Sequence, residues 1–297
     1  MPDLADLDYQ RRLTRVIDHV HRHLSEPLTL NELAQVACFS PHHFHRVFRA
    51  LTGETPHGFV RRVRLERANY LRAHHPGRTL TDIALDCGFS SSSDFSRTFR
   101  KVYGVAPRDF DLDAHRRARR SDLPMRAPAE AAHNPDGFEV VLRELPARHV
   151  ACLAIAEPFD GGVPEGAARL MAWADARGLG QGAWLGYMWE EPEISAMAHC
   201  RYVVAVVVPA DTPTDGEVGL VRLPPMRVAE VSIDGDLHLE TRAFDWLYGC
   251  WLPSSGYVPD HHPAFEAWVG RPYAHGEERF TLAVQLPVVS PSSGTES

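Results

Sequence analysis

The chain has 297 residues and a formal net charge of −8, which leaves room for two domains with separate cores. Its first residues contain no apolar signal region and no run approaches membrane-spanning length, so we expect a cytoplasmic protein with no membrane partner. The five cysteines show no CxxC pairing, which favours structural burial over redox or metal chemistry.

Charge is unevenly distributed between the two halves. Residues 1–120 hold 20 Lys and Arg against 14 Asp and Glu, whereas residues 121–297 hold 11 against 25. The basic half is the expected nucleic-acid face, and the acidic half suits a cationic ligand. All six tryptophans lie in the acidic half, so the halves have different roles. Arg outnumbers Lys 30 to 1, which indicates a GC-rich, bacterial genome.

Helical patterns fill the basic half. An amphipathic stripe from Leu13 to Leu24 predicts the first helix, which ends near residues 25–27. A second helix follows a capping-box pattern of Thr29 and Glu32, and Pro41 opens a third. A long helix is predicted from about Pro56 to Ala73. Thr81 is the expected cap of the helix after it.

Two stretches about fifty residues apart, 33–53 and 83–104, repeat one pattern. In each, a short helix meets a tight turn that ends in a serine, and a second helix follows. This is the arrangement of a duplicated helix-turn-helix, for which sequence-specific DNA is the leading partner. The recurring positions are Leu33-Ala34, Phe39-Ser40, Phe44, Arg46, Phe48-Arg49 and Gly53, which return as Ile83-Ala84, Phe89-Ser90, Phe95, Arg97, Phe99-Arg100 and Gly104.

Residues 9–110 resemble the DNA-binding domain of the AraC family of bacterial regulators. The segment 82–110, DIALDCGFSSSSDFSRTFRKVYGVAPRDF, is similar to the second unit of that domain almost throughout. The resemblance implies two helix-turn-helix units joined by one long helix. It also implies two recognition helices in successive major grooves on one face of the DNA, about one turn apart.

The outward faces of the third and last helices supply the candidate DNA contacts. Buried stripes are predicted at Phe44, Val47, Phe48 and Leu51 and at Phe95, Phe99 and Val102, and they leave the opposite faces outside. The resemblance implies base contacts by His42, His45, Arg46, Ser92, Ser93, Asp94 and Arg97. Phosphate contacts are expected from Arg49, Arg62, Arg64, Arg100 and Lys101. The alternative for each of these residues is that it is a solvated surface position without a DNA contact. The histidine runs at 19–23 and 42–45 do not have the spacing typical of a metal site.

The domain boundaries follow from composition. We expect a DNA-binding domain over 1–114, a flexible connector over 115–136 with no amphipathic periodicity, a second domain over 137–290 and a disordered tail over 291–297. In the second domain an extended stretch, a helix and two strands occur twice in succession. The helices are expected at about Pro164–Arg177 and His238–Trp251. The fold class is therefore multidomain: an all-α double helix-turn-helix domain and a pseudo-symmetric α+β domain with a ligand groove between its halves.

The second domain resembles the gyrase-inhibitory-protein-like (GyrI-like) effector-binding domain. The matching segments are 186–206 (GYMWEEPEISAMAHCRYVVAV), 246–270 (WLYGCWLPSSGYVPDHHPAFEAWVG) and 280–289 (FTLAVQLPVV). The resemblance implies that Glu266, in a Pro-x-x-Glu-x-aromatic segment, lies in an aromatic pocket that faces hydrophobic cations. Here Trp268 replaces the commoner Tyr. Aromatic side chains near Glu266 in sequence, or in the other matching segments, complete the expected effector site: Phe265, Trp251, Tyr257, Trp184, Tyr187, Trp189 and Trp246.

Together these features predict a transcription regulator rather than an enzyme. Its expected partners are promoter DNA and a small, cationic or aromatic effector, with RNA polymerase as a further candidate, and no cofactor, metal or catalytic residue is expected. Two alternatives stay open: a hydrolase that uses Glu266 as general base, and a module that sequesters another protein through its acidic half.

Overall fold

The computed structural model describes residues 4–75, 77–122, 134–156, 158–274, 276 and 278–290. Contacts between Cα atoms divide the chain into two compact units. The first comprises residues up to 120 together with 190–196 and 215–219, and the second comprises the remainder. The predicted fold class is confirmed, because helices fill the front half and an antiparallel sheet with helices fills the back half.

The first unit contains the predicted series of helices. The Thr29 hydroxyl accepts from the Glu32 amide, and the Glu32 side chain returns to the Thr29 amide, so the capping box is confirmed. Ser40 caps the helix that Pro41 opens. The helices of this half are α1 (Leu4–Arg22), α2 (Leu30–Val36), α3 (Pro41–Thr52), α4 (Pro56–His74), α5 (Leu80–Asp86), α6 (Ser92–Tyr103) and α7 (Leu112–Asp122).

Two caps of the second helix-turn-helix differ from the prediction. Helix α5 is capped by Thr79, whose hydroxyl accepts from the Asp82 amide, so the prediction of Thr81 was wrong. Helix α6 is capped by Ser91 rather than Ser90, since Ser90 Oγ donates instead to Asp94 Oδ2 at 3.1 Å. A run of several hydroxyl residues offers alternative caps of similar strength, and only the turn geometry selects one.

Helix α4 belongs to both hydrophobic cores of this unit. Phe59 and Val63 pack with α1, α2 and α3, and the Phe59 ring lies 5.4 Å from the ring of Phe48. Leu65 and Leu71 pack with α5 and α6. Because residues 63 and 65 point to different sides of a helix, α4 joins the two helix-turn-helix units as one rod.

Two residues that we expected to be buried are exposed. Val102 was assigned to the buried stripe of α6 but is 53% exposed, and Phe95 and Phe99 are the residues that α6 buries. Cys38 is also exposed, whereas Cys87, Cys152 and Cys200 are buried as predicted. Cys38 occupies the turn between α2 and α3 with a left-handed φ of 54°, and this turn faces solvent.

A short acidic segment, 190–196, completes the first unit. Glu190 is buried and lies 3.7 Å from His21 Nε2 of α1. Glu193 accepts from Arg116 Nη2 of α7 at 2.7 Å, and His74 lies 3.6 Å from Glu191. Arg116 compensates the charge of Glu193, and a histidine lies beside each of Glu190 and Glu191.

The expected connector is partly helical. Residues 115–122 continue α7, and Arg116 is bound by Glu193 rather than lying in a solvated run. The rest of the connector, up to residue 133, and the expected tail over 291–297 lie outside the described residues.

Within the described residues of the back half, nine strands form one antiparallel sheet. Eight of them follow the order β1-β6-β9-β8-β3-β4-β2-β5, and β7 pairs with β9. The strands are β1 (Val141–Leu145), β2 (Arg148–Ala156), β3 (Trp184–Met188), β4 (Arg201–Val208), β5 (Gly219–Leu223), β6 (Met226–Gly235), β7 (Val258–Pro259), β8 (Phe265–Trp268) and β9 (Phe280–Val289). The helices are α8 (Gly162–Asp175), α9 (Leu237–Trp246), which continues as a π-helical turn over Leu247–Trp251, and α10 (Leu252–Ser255).

The two longer helices of this half lie against different pairs of strands. Helix α8 packs on β2 and β4, where Gly166 approaches Ile155, and α9 packs on β6 and β9. The strands between these pairs, β8 and β3, therefore occupy the middle of the sheet. This arrangement agrees with the predicted pseudo-symmetry and brings β8 between the two helices.

A first prediction concerns pH and Glu66 of α4. Burial, strengthened by the nearby charge of Glu190, raises the pKa of Glu66 to about 7, although Arg62 Nη1 donates to it at 2.9 Å. The folded state therefore favours the protonated acid, and stability present below pH about 4.5 is lost as the pH rises through 7. We expect Glu66→Gln to match the wild-type Tm at acidic pH and to exceed it by roughly 2–5 °C at pH 8.

Calorimetric melting of the full chain across this pH range measures the effect. Asp109→Asn, which removes an exposed carboxylate of the same unit, is the control and should follow the wild-type curve. If Tm plotted against pH ran parallel for Glu66→Gln and wild type, the raised pKa of Glu66 would be contradicted.

A second prediction compares the two equivalent turn positions, Cys38 and Gly88. Gly88 has φ +78°, and a Cβ there would overlap the Leu24 carbonyl oxygen and lie 2.7 Å from Arg64 Nη2. We expect Gly88→Ala to cost at least about 1–2 kcal/mol of the free energy of unfolding from the left-handed backbone alone. Cys38→Gly, the matched control in the other turn, should change it by less than about 0.5 kcal/mol. Urea unfolding followed by circular dichroism measures both, and equal effects would show that a side chain at Gly88 carries no special cost.

Candidate functional site

The two recognition helices present their polar faces away from the cores. On α3, Phe44 and Phe48 are buried, and His42, Arg46 and Arg49 are exposed. His45 is half-buried on the edge of this face. The alternation follows from helical periodicity, so three of the predicted contacts on α3 point into solvent.

Helix α6 repeats this arrangement with shorter side chains. Ser93 is exposed, and Ser92 and Asp94 are half-buried in the first turn. The Arg97 side chain is 79% exposed and lies 3.6 Å from Asp94. Arg100 and Lys101 are exposed in the last turn. The exposed cations of α6 therefore line its middle and C-terminal part, beyond the serines at its start.

Two of the expected phosphate contacts have partners inside the first unit. Arg62 donates to both Glu54 and Glu66, and its side chain is 15% exposed. Arg64 donates to the carbonyl oxygens of Leu24 and Glu26, which fixes the end of α1 to α4. Their geometry is that of structural cations. No local pattern in the sequence indicates these bonds, since the partners lie up to 40 residues away.

A second cluster surrounds Glu266 in the middle of the sheet. Glu266 lies opposite Gly186 of β3 and Val284 of β9 in the register. The hydroxyl of Tyr202, from β4, donates to Glu266 Oε2. Gly186 makes room for this bond, because a Cβ at that position would overlap the Tyr202 hydroxyl and lie 2.5 Å from Glu266 Oε2. The site therefore depends on a glycine that leaves space between two strands.

Trp268 shares the face of Glu266, since alternate residues of a strand point to the same side. Its indole ring packs against Tyr273 and Phe280, with ring centroids 4.8 and 5.3 Å away. The buried Nε1–H makes no hydrogen bond of normal geometry among the described residues, but it lies near enough to Glu266 to help lower the pKa of that acid. Glu266 is thus a partly exposed acid with an aromatic neighbourhood.

Helix α9 adds a second acid that the sequence analysis missed. Glu240 is 4% exposed and lies close enough to Glu266 for that carboxyl to affect its pKa. Burial and the charge of Glu266 raise the pKa of Glu240 well above its ordinary value. A signal was present: Glu240 stands three and seven residues before Ala243 and Leu247, which are buried, so the apolar stripe of α9 contains one acid.

Two of the predicted effector residues lie on the other face of the sheet from Glu266. Phe265 and Tyr187 are buried in the core on the opposite face of the sheet, with ring centroids 5.3 Å apart. Trp184 lies on the Glu266 face, opposite Trp268 in the register, but it is 1% exposed and its Nε1 donates to the Gly180 carbonyl oxygen. The remaining aromatic residues contact one another in pairs: Trp251 stacks on Tyr257, Trp246 packs on Phe138, and Trp189 lies near His261 and His262.

The described parts of the chain contain no candidate metal site and no candidate membrane-spanning helix. There, no group of three or more His, Cys, Asp or Glu side chains is placed to hold a metal ion. None of the described helices is long and apolar enough to cross a membrane.

Family comparisons match both halves. Residues 33–112 match a helix-turn-helix domain model, and residues 138–289 match the model of the GyrI-like small molecule binding domain. The second match covers slightly more than half of the chain.

Among curated proteins, the chain is 38% identical over 106 residues to the probable transcriptional regulator LumQ of Photobacterium leiognathi, covering 35% of this chain and 42% of LumQ. It is 35% identical over 98 residues to the transcriptional activator RhaS of Klebsiella pneumoniae, covering 33% and 35% respectively. The chain thus spans well under half the length of these relatives. A solved regulator from Chromobacterium violaceum with an AraC-type DNA-binding domain is 30% identical, with a TM-score of 0.32 over 34% of this chain and 88% of that chain.

Proposed function

The chain belongs to the GyrI-like small-molecule-binding family and joins that domain to an AraC-type helix-turn-helix domain, and we propose that it is a one-component transcription regulator. In this proposal the first unit binds promoter DNA through α3 and α6, and the back half captures a small effector at Glu266. The observation that best supports DNA binding is that α3 and α6 each bury phenylalanines on one side and expose cationic side chains on the other.

Base recognition belongs mainly to Arg46 and Arg97. Both are exposed on the faces opposite the buried phenylalanines, and a guanidinium can contact guanine O6 and N7 at once. His42 and His45 extend the reading face of α3, and Ser92, Ser93 and Asp94 provide shorter contacts at the start of α6. Arg49, Arg100 and Lys101 contact phosphates, since they lie at the exposed ends of the same faces.

The effector is a small organic cation with aromatic character. Glu266 is an acid in a largely apolar setting, and the rings of Trp268 and Tyr273 offer a cation attractive faces. Tyr202, which the sequence analysis missed, holds the carboxylate in place from β4. This arrangement supports a role for Glu266 in binding a cation.

A third prediction separates base contacts from phosphate contacts. DNA sites are first selected from a random pool with the full-length protein. Arg46→Ala should weaken binding to the selected site by about 1–3 kcal/mol and leave random DNA nearly unaffected. Arg49→Ala should weaken both DNAs alike and reduce the salt dependence by about one unit of slope. Gel-shift titrations at several salt concentrations measure both, and equal losses on both DNAs for Arg46→Ala would show that Arg46 contacts only the backbone.

A fourth prediction tests the effector site. Every tryptophan lies at or beyond residue 173, so tryptophan emission reports only the back half. We expect tetraphenylphosphonium, a hydrophobic monocation, to change this emission, and Glu266→Gln to weaken its binding at least tenfold (about 1.4 kcal/mol). Glu139→Gln, an exposed acid of the same half, is the matched control. Equal binding by both variants would exclude Glu266 as the cation site.

A further inference from the structure

Three parts of the first unit meet at the guanidinium of Arg64. Arg64 belongs to α4, and its Nε and Nη2 donate to the carbonyl oxygens of Leu24 and Glu26 at 3.1 and 2.7 Å. Both acceptors lie in the loop after α1, and Leu24 packs in the core of the first helix-turn-helix. Gly88, in the turn of the second helix-turn-helix, lies directly against the same groups. We refer to these four residues as the Arg64 junction.

The close approach at the junction depends on glycine at position 88. A Cβ there would overlap the Leu24 carbonyl oxygen and lie 2.7 Å from Arg64 Nη2. Cys38, the equivalent residue of the first turn, carries a side chain and is exposed. The second turn is therefore built against the first helix-turn-helix, whereas the first turn faces solvent.

Arg12 of α1 corresponds to Arg64, because α1 precedes α2 and α3 as α4 precedes α5 and α6. The Nη1 of Arg12 donates to the carbonyl oxygens of Ala37 and Cys38 at 2.9 and 3.1 Å. Arg12 thus supports the turn of its own helix-turn-helix, since α1, α2 and α3 share one core. Arg64 instead donates to the loop after α1, and so it joins the second helix-turn-helix to the first.

The junction restrains a motion that α4 alone leaves open. Helix α4 has 19 residues and is about 28 Å long. A helix of this length resists twisting but bends gently, so two helix-turn-helix units packed along it can tilt relative to one another. The junction lies beside the axis of α4. Bending in one direction would break the hydrogen bonds of Arg64, and bending in the other would press Gly88 onto the Leu24 carbonyl oxygen.

The position of Gly88 determines where the second recognition helix begins. Gly88 stands four residues before Ser92, the first residue of α6. Burial lowers the pKa of Arg64, and Asp94 in the first turn of α6 lies close enough to oppose this lowering. The junction therefore connects the core that holds α3 to the start of α6.

We propose that the Arg64 junction sets the spacing between the two DNA segments, or half-sites, that α3 and α6 read, so that the protein accepts one spacing and rejects others. This inference rests on the proposed binding of DNA through α3 and α6. Arg64 is a positioning residue in this scheme, because its N–H groups bond to carbonyl oxygens of the first unit rather than to phosphate.

The test uses the full-length protein and a DNA site that wild type selects from a random pool. The half-sites are located by base substitution, and one base pair is then inserted or deleted between them. This change moves one half-site by about 3.4 Å and turns it by about 35° around the duplex. Wild type should bind the altered sites at least about tenfold more weakly. Arg64→Met, which removes the donors, should bind the selected site more weakly and should distinguish the three spacings by less than about threefold.

Two further variants serve as controls. Arg12→Met removes the corresponding donor within the first helix-turn-helix, and it should weaken binding but keep the preference for the selected spacing. Arg64→Lys keeps the positive charge but not the planar fork that reaches both carbonyl oxygens, so it should behave like Arg64→Met and retain the salt dependence of wild type. If Arg64→Lys binds like wild type and Arg64→Met loses about one unit of salt slope, Arg64 contacts phosphate and the proposal is overturned.

DNA with one scrambled half-site separates positioning from folding. On this DNA Arg64→Met should bind within about twofold of wild type. A loss as large as that on the complete site would show that Arg64 maintains the fold rather than the spacing, and would overturn the proposal. The same spacing preference in Arg64→Met and wild type, or no preference in wild type, would overturn it as well. The proposed DNA recognition itself fails only if wild type selects no sequence from the pool.

Discussion

The sharing of α4 between two hydrophobic cores is the constraint on which the first unit depends. Phe59 and Val63 anchor α4 in one core, and Leu65 and Leu71 anchor it in the other. A helix has little torsional freedom, so the two anchor sets fix the rotation of one helix-turn-helix relative to the other. The relative orientation of the exposed faces of α3 and α6 is therefore fixed as well. A rigid connection favours DNA recognition by two helix-turn-helix units, because a flexible connection would have to be ordered on binding at a cost in affinity.

Much of this half could be predicted because its signals are local. Apolar periodicity, Pro41 and the capping box of Thr29 and Glu32 act within one or two turns of the chain, and the structure confirms them. The cap before α6 was misplaced because several serines there compete for the same role. Distant partners are also invisible in the sequence: it does not show the acids and carbonyl groups to which Arg62 and Arg64, two expected phosphate contacts, donate.

The surroundings of Glu266, the proposed effector site, were less predictable for the same reason. Glu266 and Trp268 came from one segment, but Tyr202 and Glu240 reach Glu266 only through strand register and the packing of α9. Strand alternation also divides neighbours in sequence, so Phe265 lies in the core while Glu266 lies on the other face. Nearness in sequence therefore predicted more aromatic residues around Glu266 than the strand register allows. Glu240 could have been found from the sequence, because an acid on the apolar stripe of a helix needs a proton or a partner.

Hydroxyl-radical footprinting of the full-length protein on its selected DNA site tests the central claim most directly. Two recognition helices fixed by α4 should protect two backbone windows about one helical turn, or roughly 10 base pairs, apart on the same face of the duplex. Shortening or lengthening the DNA between them by half a turn should abolish one window. A single window, or two windows whose spacing adapts freely to such changes, would contradict a rigid pair of reading heads.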